Sequence, residues 1–352
     1  MRSTLFWKTT RKNSVTGPSF LRPGRGAGAR RVRAVAGLIA GTVLVGGGLL
    51  AEAVDPPERH PPGTLITSGN IRLYIEKEGS GPPLVLLPAG PGLDHSYFHP
   101  YLSSLSPWRS VIYLDPRGCG RSELGRPEEL DPVAMAGDLE QVRRSLGAER
   151  IDLLGHGMGG RVAVLYADRH PERVGRLILL GGAPHVGSFL DGPGIEIGMT
   201  PDMKKALARS GEDRYLSADG RLRERYRTLA PLLFRRLTDR AFQRAFIDRL
   251  TLTDQVRTLL VPRLDSDPKG FEQSLSRLRL PVLIIAGRFD PTATVEQAED
   301  LHRLIPASRL ATLEESGAFP FAEQPVEFLK LTREFLGATE EGAKVAGAGG
   351  GI

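Results

Sequence analysis

Cysteine is nearly absent: Cys119 stands alone among 352 residues, which excludes an intrachain disulfide framework. The chain has neither a GxGxxG turn nor a P-loop, so no dinucleotide or nucleoside triphosphate fingerprint is present. No Cys/His or carboxylate cluster has metal-ligand spacing along the sequence, and no metal or other cofactor is expected. A basic stripe of the kind that marks a nucleic-acid footprint is missing as well. The net charge of +6 comes from one end, since residues 1–33 carry nine basic and no acidic residues. Without those nine the remainder is net −3, and nucleic acid is not an expected partner.

Charge is also absent from Ala34 to Ala51. This apolar, glycine-interrupted stretch follows the basic segment and runs into the small-x-small site Ala51-Glu52-Ala53, the layout of a signal peptide. Its 18 residues also reach the lower limit for spanning a bilayer. Both outcomes, a cleaved leader and a retained anchor, put the main domain outside the cytoplasm, because the positive charge lies on the N-terminal side. The expected divisions are a basic segment 1–33, a signal peptide or transmembrane anchor 34–53, a proline-rich linker 54–63, a main domain from 64, and a glycine-rich disordered tail 338–352.

Within the main domain, short apolar runs alternate with helical patterns. Leu65–Thr67 and Ile71–Glu76 read as a pair of strands about the turn Ser68-Gly69-Asn70. Leu84–Pro88, Val111–Asp115, Ile151–Leu154, Arg176–Leu180, Val282–Ala286 and Arg309–Leu313 read as strands covered on both faces. Helices are expected over Pro132–Leu146, capped by Asp131, and over Arg161–Arg169, Val295–Leu304 and Val326–Leu336. This alternation implies an α/β fold with a mostly parallel sheet flanked by helices. No convincing strand occurs between Gly187 and Leu280, where charged helical pieces suggest an inserted helical cap over 187–280. The core then comprises 64–186 and 281–337.

Five segments occur in a telling order. They are Leu87-Pro88-Ala89-Gly90-Pro91-Gly92; Asp115-Pro116-Arg117-Gly118-Cys119-Gly120-Arg121-Ser122; Gly155-His156-Gly157-Met158-Gly159-Gly160; Gly287-Arg288-Phe289-Asp290; and Glu315-Ser316-Gly317-Ala318-Phe319. Together they resemble the α/β-hydrolase family, and within it the proline iminopeptidase-like group. The resemblance implies, in order, an oxyanion loop HGGPG, a DQRGxGRS turn, a GHSMGG nucleophile elbow, the loop of the catalytic acid and the loop of the catalytic histidine. Two departures matter. Gly157 occupies the nucleophile position and Ala318 the histidine position, leaving Asp290 as the acid. A triad needs an oxygen nucleophile, a base and an orienting carboxylate acting as a unit. Neither glycine nor alanine can take those roles.

The expectation is therefore a pseudo-hydrolase that binds a small-molecule or peptide-like ligand, with Ala89, Gly90, His95, Met158 and His185 lining the pocket. Two alternatives stand beside it: a cofactor-independent non-hydrolytic enzyme such as an isomerase, epimerase, lyase or cyclase, and a hydrolase with a displaced catalytic set. His95 and His185 are candidates for a displaced base because both fall near the carboxyl ends of strands, where α/β sheets bind ligands. Asp290 also reads as a turn residue before Pro291, and Cys119 as structural, since a reactive thiol needs a partner that lowers its pKa.

Overall fold

The computed structural model describes residues 62–182, 190 and 193–337. The basic segment, the proposed leader or anchor helix, His185 and the C-terminal tail lie outside them. Among the described residues no helix is long and apolar enough to cross a membrane.

Eight strands form one sheet: β1 (Thr64–Ser68), β2 (Ile71–Glu78), β3 (Pro83–Leu87), β4 (Ser110–Leu114), β5 (Ile151–His156), β6 (Val174–Leu180), β7 (Val282–Gly287) and β8 (Ser308–Leu313). Their spatial order is β1-β2-β4-β3-β5-β6-β7-β8. The β1–β2 hairpin and the β2–β4 pair are antiparallel, and every pairing from β4 through β8 is parallel. The helices in chain order are α1 (Pro132–Ser145), α2 (Met158–Arg169), α3 (Pro193–Gly198), α4 (Pro201–Glu212), α5 (Ala218–Leu233), α6 (Arg240–Arg249), α7 (Asp254–Leu264), α8 (Pro268–Arg277), α9 (Val295–Leu304), α10 (Pro320–Glu323) and α11 (Pro325–Leu336).

The continuous apolar runs are explained by two cores, one on each face of the sheet. Val85, Leu87, Ile112 and Leu153 join α1, α2, α8 and α9 in one cluster. Leu84, Leu86, Val111 and Leu154 join α5, α6, α11 and the segment Leu93–Leu105 in the other. A period-2 strand buried on both sides needs apolar residues at every position. Asp131 caps α1 as expected, its carboxylate accepting from the Ala134 amide at 2.8 Å, with Pro132 in the first turn.

One boundary differs from the sequence reading. α2 begins at Met158 rather than Arg161, because its glycines belong to the first turn. A Cβ on Gly159 would lie 2.5 Å from the Leu87 carbonyl, so glycine there permits the helix to approach the end of β3. The helices of the stretch 187–280 divide between the two cores. Val256, Leu260, Leu264, Phe271 and Leu275 of α7 and α8 belong to one, and α8 packs on α2 and α9. The buried faces of α5 and α6 belong to the other.

Candidate functional site

β5 ends at His156 and α2 starts at Met158, leaving Gly157 as the sole hinge at φ +50°, ψ −116°. That left-handed conformation strains any residue with a side chain by roughly 1–3 kcal/mol, and glycine adopts it freely. A Cβ on Gly157 would also meet the Ala89 carbonyl oxygen at 3.2 Å and the Ala89 methyl at 3.4 Å. The next amide, that of Met158, donates to the Ala89 carbonyl at 2.9 Å. The Ala89 amide in turn donates to the Tyr97 hydroxyl at 2.7 Å.

Aromatic side chains fill the space beside this bend. His156 is fully buried, its Nδ1 3.0 Å from the Tyr97 hydroxyl. Tyr97 and Phe319 lie against its ring at centroid distances of 5.8 and 5.9 Å. Phe319 packs against Phe246 at 4.8 Å and Phe234 at 5.0 Å, both from the cap. Burial pushes the His156 pKa down to about 3, against the opposing influence of an Ala318 backbone hydrogen bond, so the ring is neutral.

Asp290 and Ala318 reach the same end of the sheet. Asp290 follows β7 and is 4% exposed. Its Oδ1 accepts from the Thr292 amide at 2.7 Å, the Thr292 hydroxyl at 2.6 Å and the Ala293 amide at 3.2 Å. This is the turn role that aspartate before proline suggests. Burial raises its pKa to about 6, outweighing those hydrogen bonds. Its Oδ2 lies 3.2 Å from the position of a Cβ on Gly181, and His156 Nε2 lies 3.4 Å from that point. Ala318 follows β8, and its amide donates to the Leu233 carbonyl at 2.8 Å, fastening the loop to the cap. Cys119 is fully buried, and burial pushes its thiol pKa up, the opposite of an activated nucleophile.

Of the residues expected to line one pocket, four are described. Ala89, Gly90 and Met158 meet at the bend, where a Cβ on Gly90 would strike the Met158 side chain at 2.6 Å. His185 lies outside the described residues. His95 belongs to a second site that sequence spacing did not reveal. Its Nδ1 is 2.6 Å from Asp115 and its Nε2 is 3.4 Å from Glu76 Oε1. His99 Nε2 is 3.3 Å from Glu76 Oε2. Tyr74 and Arg121 donate to Glu76 Oε1, both at 2.9 Å. Burial opposes charge on His95, yet the hydrogen bonds to Asp115 and Glu76 prevail and raise its pKa to about 9. Burial likewise opposes charge on Glu76, yet its histidine and tyrosine partners hold the carboxyl far below the usual range.

A cleft of about 830 Å³ lies between α1, α2, α7 and α8, beside Arg161, Asp168, Phe271 and Arg277. None of Gly157, Asp290 and Ala318 lines it.

Comparison with known proteins agrees with this architecture. Residues 82–325 match the family described as the alpha/beta hydrolase fold. The chain is 28% identical over 283 residues to the 2-hydroxy-6-oxo-2,4-heptadienoate hydrolase of Pseudomonas putida, covering 79% of this chain and 97% of that one. It is 28% identical over 285 residues to the proline iminopeptidase of Saccharolobus solfataricus, covering 75% and 87%. Among solved structures, the esterase EaEST of Exiguobacterium antarcticum superposes with a TM-score of 0.63 at 26% identity, covering 79% of this chain and 100% of the esterase. The chain belongs to the α/β-hydrolase fold family.

Proposed function

We propose that this protein is a non-hydrolytic member of its family, a pseudo-hydrolase whose role is binding rather than turnover. One observation carries the reading: the strained bend that presents a nucleophile in such enzymes carries Gly157, at φ +50°. No acyl-enzyme can form on a residue without a side chain. Two further features support the reading. The amide after the elbow residue, which serves the oxyanion hole in this fold, is donated to Ala89 here. Ala318 brings a methyl where a base would be needed, and its backbone is tied to the cap at Leu233.

The aromatic fill bears on what could be bound. An apolar or peptide-like ligand at the bend would have to replace contacts among Phe234, Phe246 and Phe319, and so would lift the cap. The alternative of a non-hydrolytic enzyme would have Asp290, His95 or His185 move protons; against it, Asp290 caps its own turn and His95 is held by Glu76 and Asp115. The N-terminal charge pattern supports a location outside the cytoplasm, by leader or anchor.

The test is covalent labelling with a fluorophosphonate probe. The wild-type chain is expected to remain unlabelled, and the double variant Gly157→Ser/Ala318→His to stay far below the rate of active relatives. Robust labelling of the wild type at a serine near the bend would overturn the proposal.

A further inference from the structure

We infer that Glu76, His95 and His99 form a binding site for one divalent transition-metal ion of the nitrogen-preferring class, zinc foremost. The inference is independent of the reading of the bend.

The three side chains are all buried, at 0%, 2% and 5% exposure. Each offers one ligand atom within 4.8 Å of the other two. Zinc bonded at about 2.0–2.1 Å in a tetrahedron separates neighbouring ligand atoms by about 3.3–3.4 Å. Here His95 Nε2 lies 3.4 Å from Glu76 Oε1 and His99 Nε2 lies 3.3 Å from Glu76 Oε2, so each nitrogen is at that spacing from its own oxygen of the one carboxylate. Two imidazoles and one carboxylate are a donor set suited to zinc and its neighbours, with a fourth position left open.

The surroundings supply the second argument. A metal-bound histidine usually has its other nitrogen held, often by a carboxylate, which fixes the ring and its tautomer. Asp115 does this for His95, at 2.6 Å from Nδ1, and is itself oriented by the backbone amides of His95 and Arg121. Ser103 lies 3.5 Å from Nδ1 of His99, whose ring stacks on Tyr113 at 3.8 Å. Both Nε2 atoms are thereby turned toward the one carboxylate. Tyr74 and Arg121 donate to Glu76 Oε1, the oxygen nearer His95, and fix the carboxylate in place.

A proton on His95 Nε2 and a metal ion would compete for the same nitrogen. The site joins β2 to the segment after β3 across β4, because β2 and β3 both flank β4. The ion would act as a cross-link between segments that share no direct strand pairing.

The experiment uses the full-length protein stripped with a chelator and dialysed, then titrated with cobalt(II). The expected result is one cobalt per chain with the intense visible bands of a tetrahedral site, lost on adding zinc. His99→Gln and Glu76→Gln are expected to weaken uptake more than tenfold, and Asp115→Asn by about 10–100-fold. His302→Gln, on an exposed histidine, should leave it unchanged. X-ray absorption on the wild-type zinc form should count two imidazoles, a measurement that needs no buried variant to fold. Failure of the wild type to take up stoichiometric metal would show a proton-bridged network only and overturn the site. Uptake that survives in folded His99→Gln, or an absorption spectrum without two imidazoles, would overturn it equally.

Discussion

One loop joins two buried regions that treat histidine in opposite ways. Tyr97 turns toward the bend and meets His156 among aromatic rings, while His95, two residues earlier, turns toward Glu76 and Asp115. Burial disfavours the charged imidazole in both places. At the bend burial prevails, and His156 falls to about 3. In the polar cluster two carboxylates more than answer it, and His95 rises to about 9. The partners within reach decide the protonation state. The bend is packed as an aromatic core, whereas His95 sits in a polar cluster.

The sharpest test of that contrast is acid. His156 titrates near 6.5 when unfolded and near 3 when folded, so its share of stability is complete above pH 6.5 and is lost as pH falls toward 3, by about 5 kcal/mol in all. Denaturant unfolding of wild type and His156→Gln across that range should show a shallower acid loss in the variant. Next in size, Phe319→Ala should cost about 3–5 kcal/mol, as for other large core aromatics. Thermal unfolding would read this, and a loss below 1 kcal/mol would mean that the aromatic fill does not hold the cap. Asp290 works with the opposite sign to His156. Its folded pKa, raised to about 6 from 3.8, makes stability greatest below 3.8 and reduces it as pH rises through 6, by about 3 kcal/mol. Asp290→Asn should therefore be stabilising at pH 7, by up to that amount, with the gain vanishing near pH 4. The smallest expected change is Gly157→Ala, which should cost about 1–3 kcal/mol through strain at positive φ. An unchanged melting temperature would show that the bend relaxes.

The sheet was legible because its signals are local. Runs such as Leu84–Leu87 need only their own composition to read as strands buried twice, and the glycine-rich bend is a contiguous motif. The start of α2 was less legible, since Gly159 and Gly160 look like breakers until β3 is seen beside them. The cap's contribution to the bend was hidden for a related reason. Phe234 and Phe246 sit in charged helical stretches, and nothing in their spacing says that they face Phe319. The cluster of Glu76, His95 and His99 was the least legible feature. Its members lie on β2 and on the segment after β3, and they meet only because both strands flank β4. No pattern along the chain encodes that adjacency.

The hydrogen bond from the Met158 amide to the Ala89 carbonyl, 2.9 Å long, has a practical consequence for redesign. A Cβ at residue 157 would already lie 3.2 Å from that same carbonyl oxygen. Any side chain installed there must therefore displace the segment that follows β3 or strain the bend. Residue 157 and residue 89 form one unit, and a redesign of either has to move both.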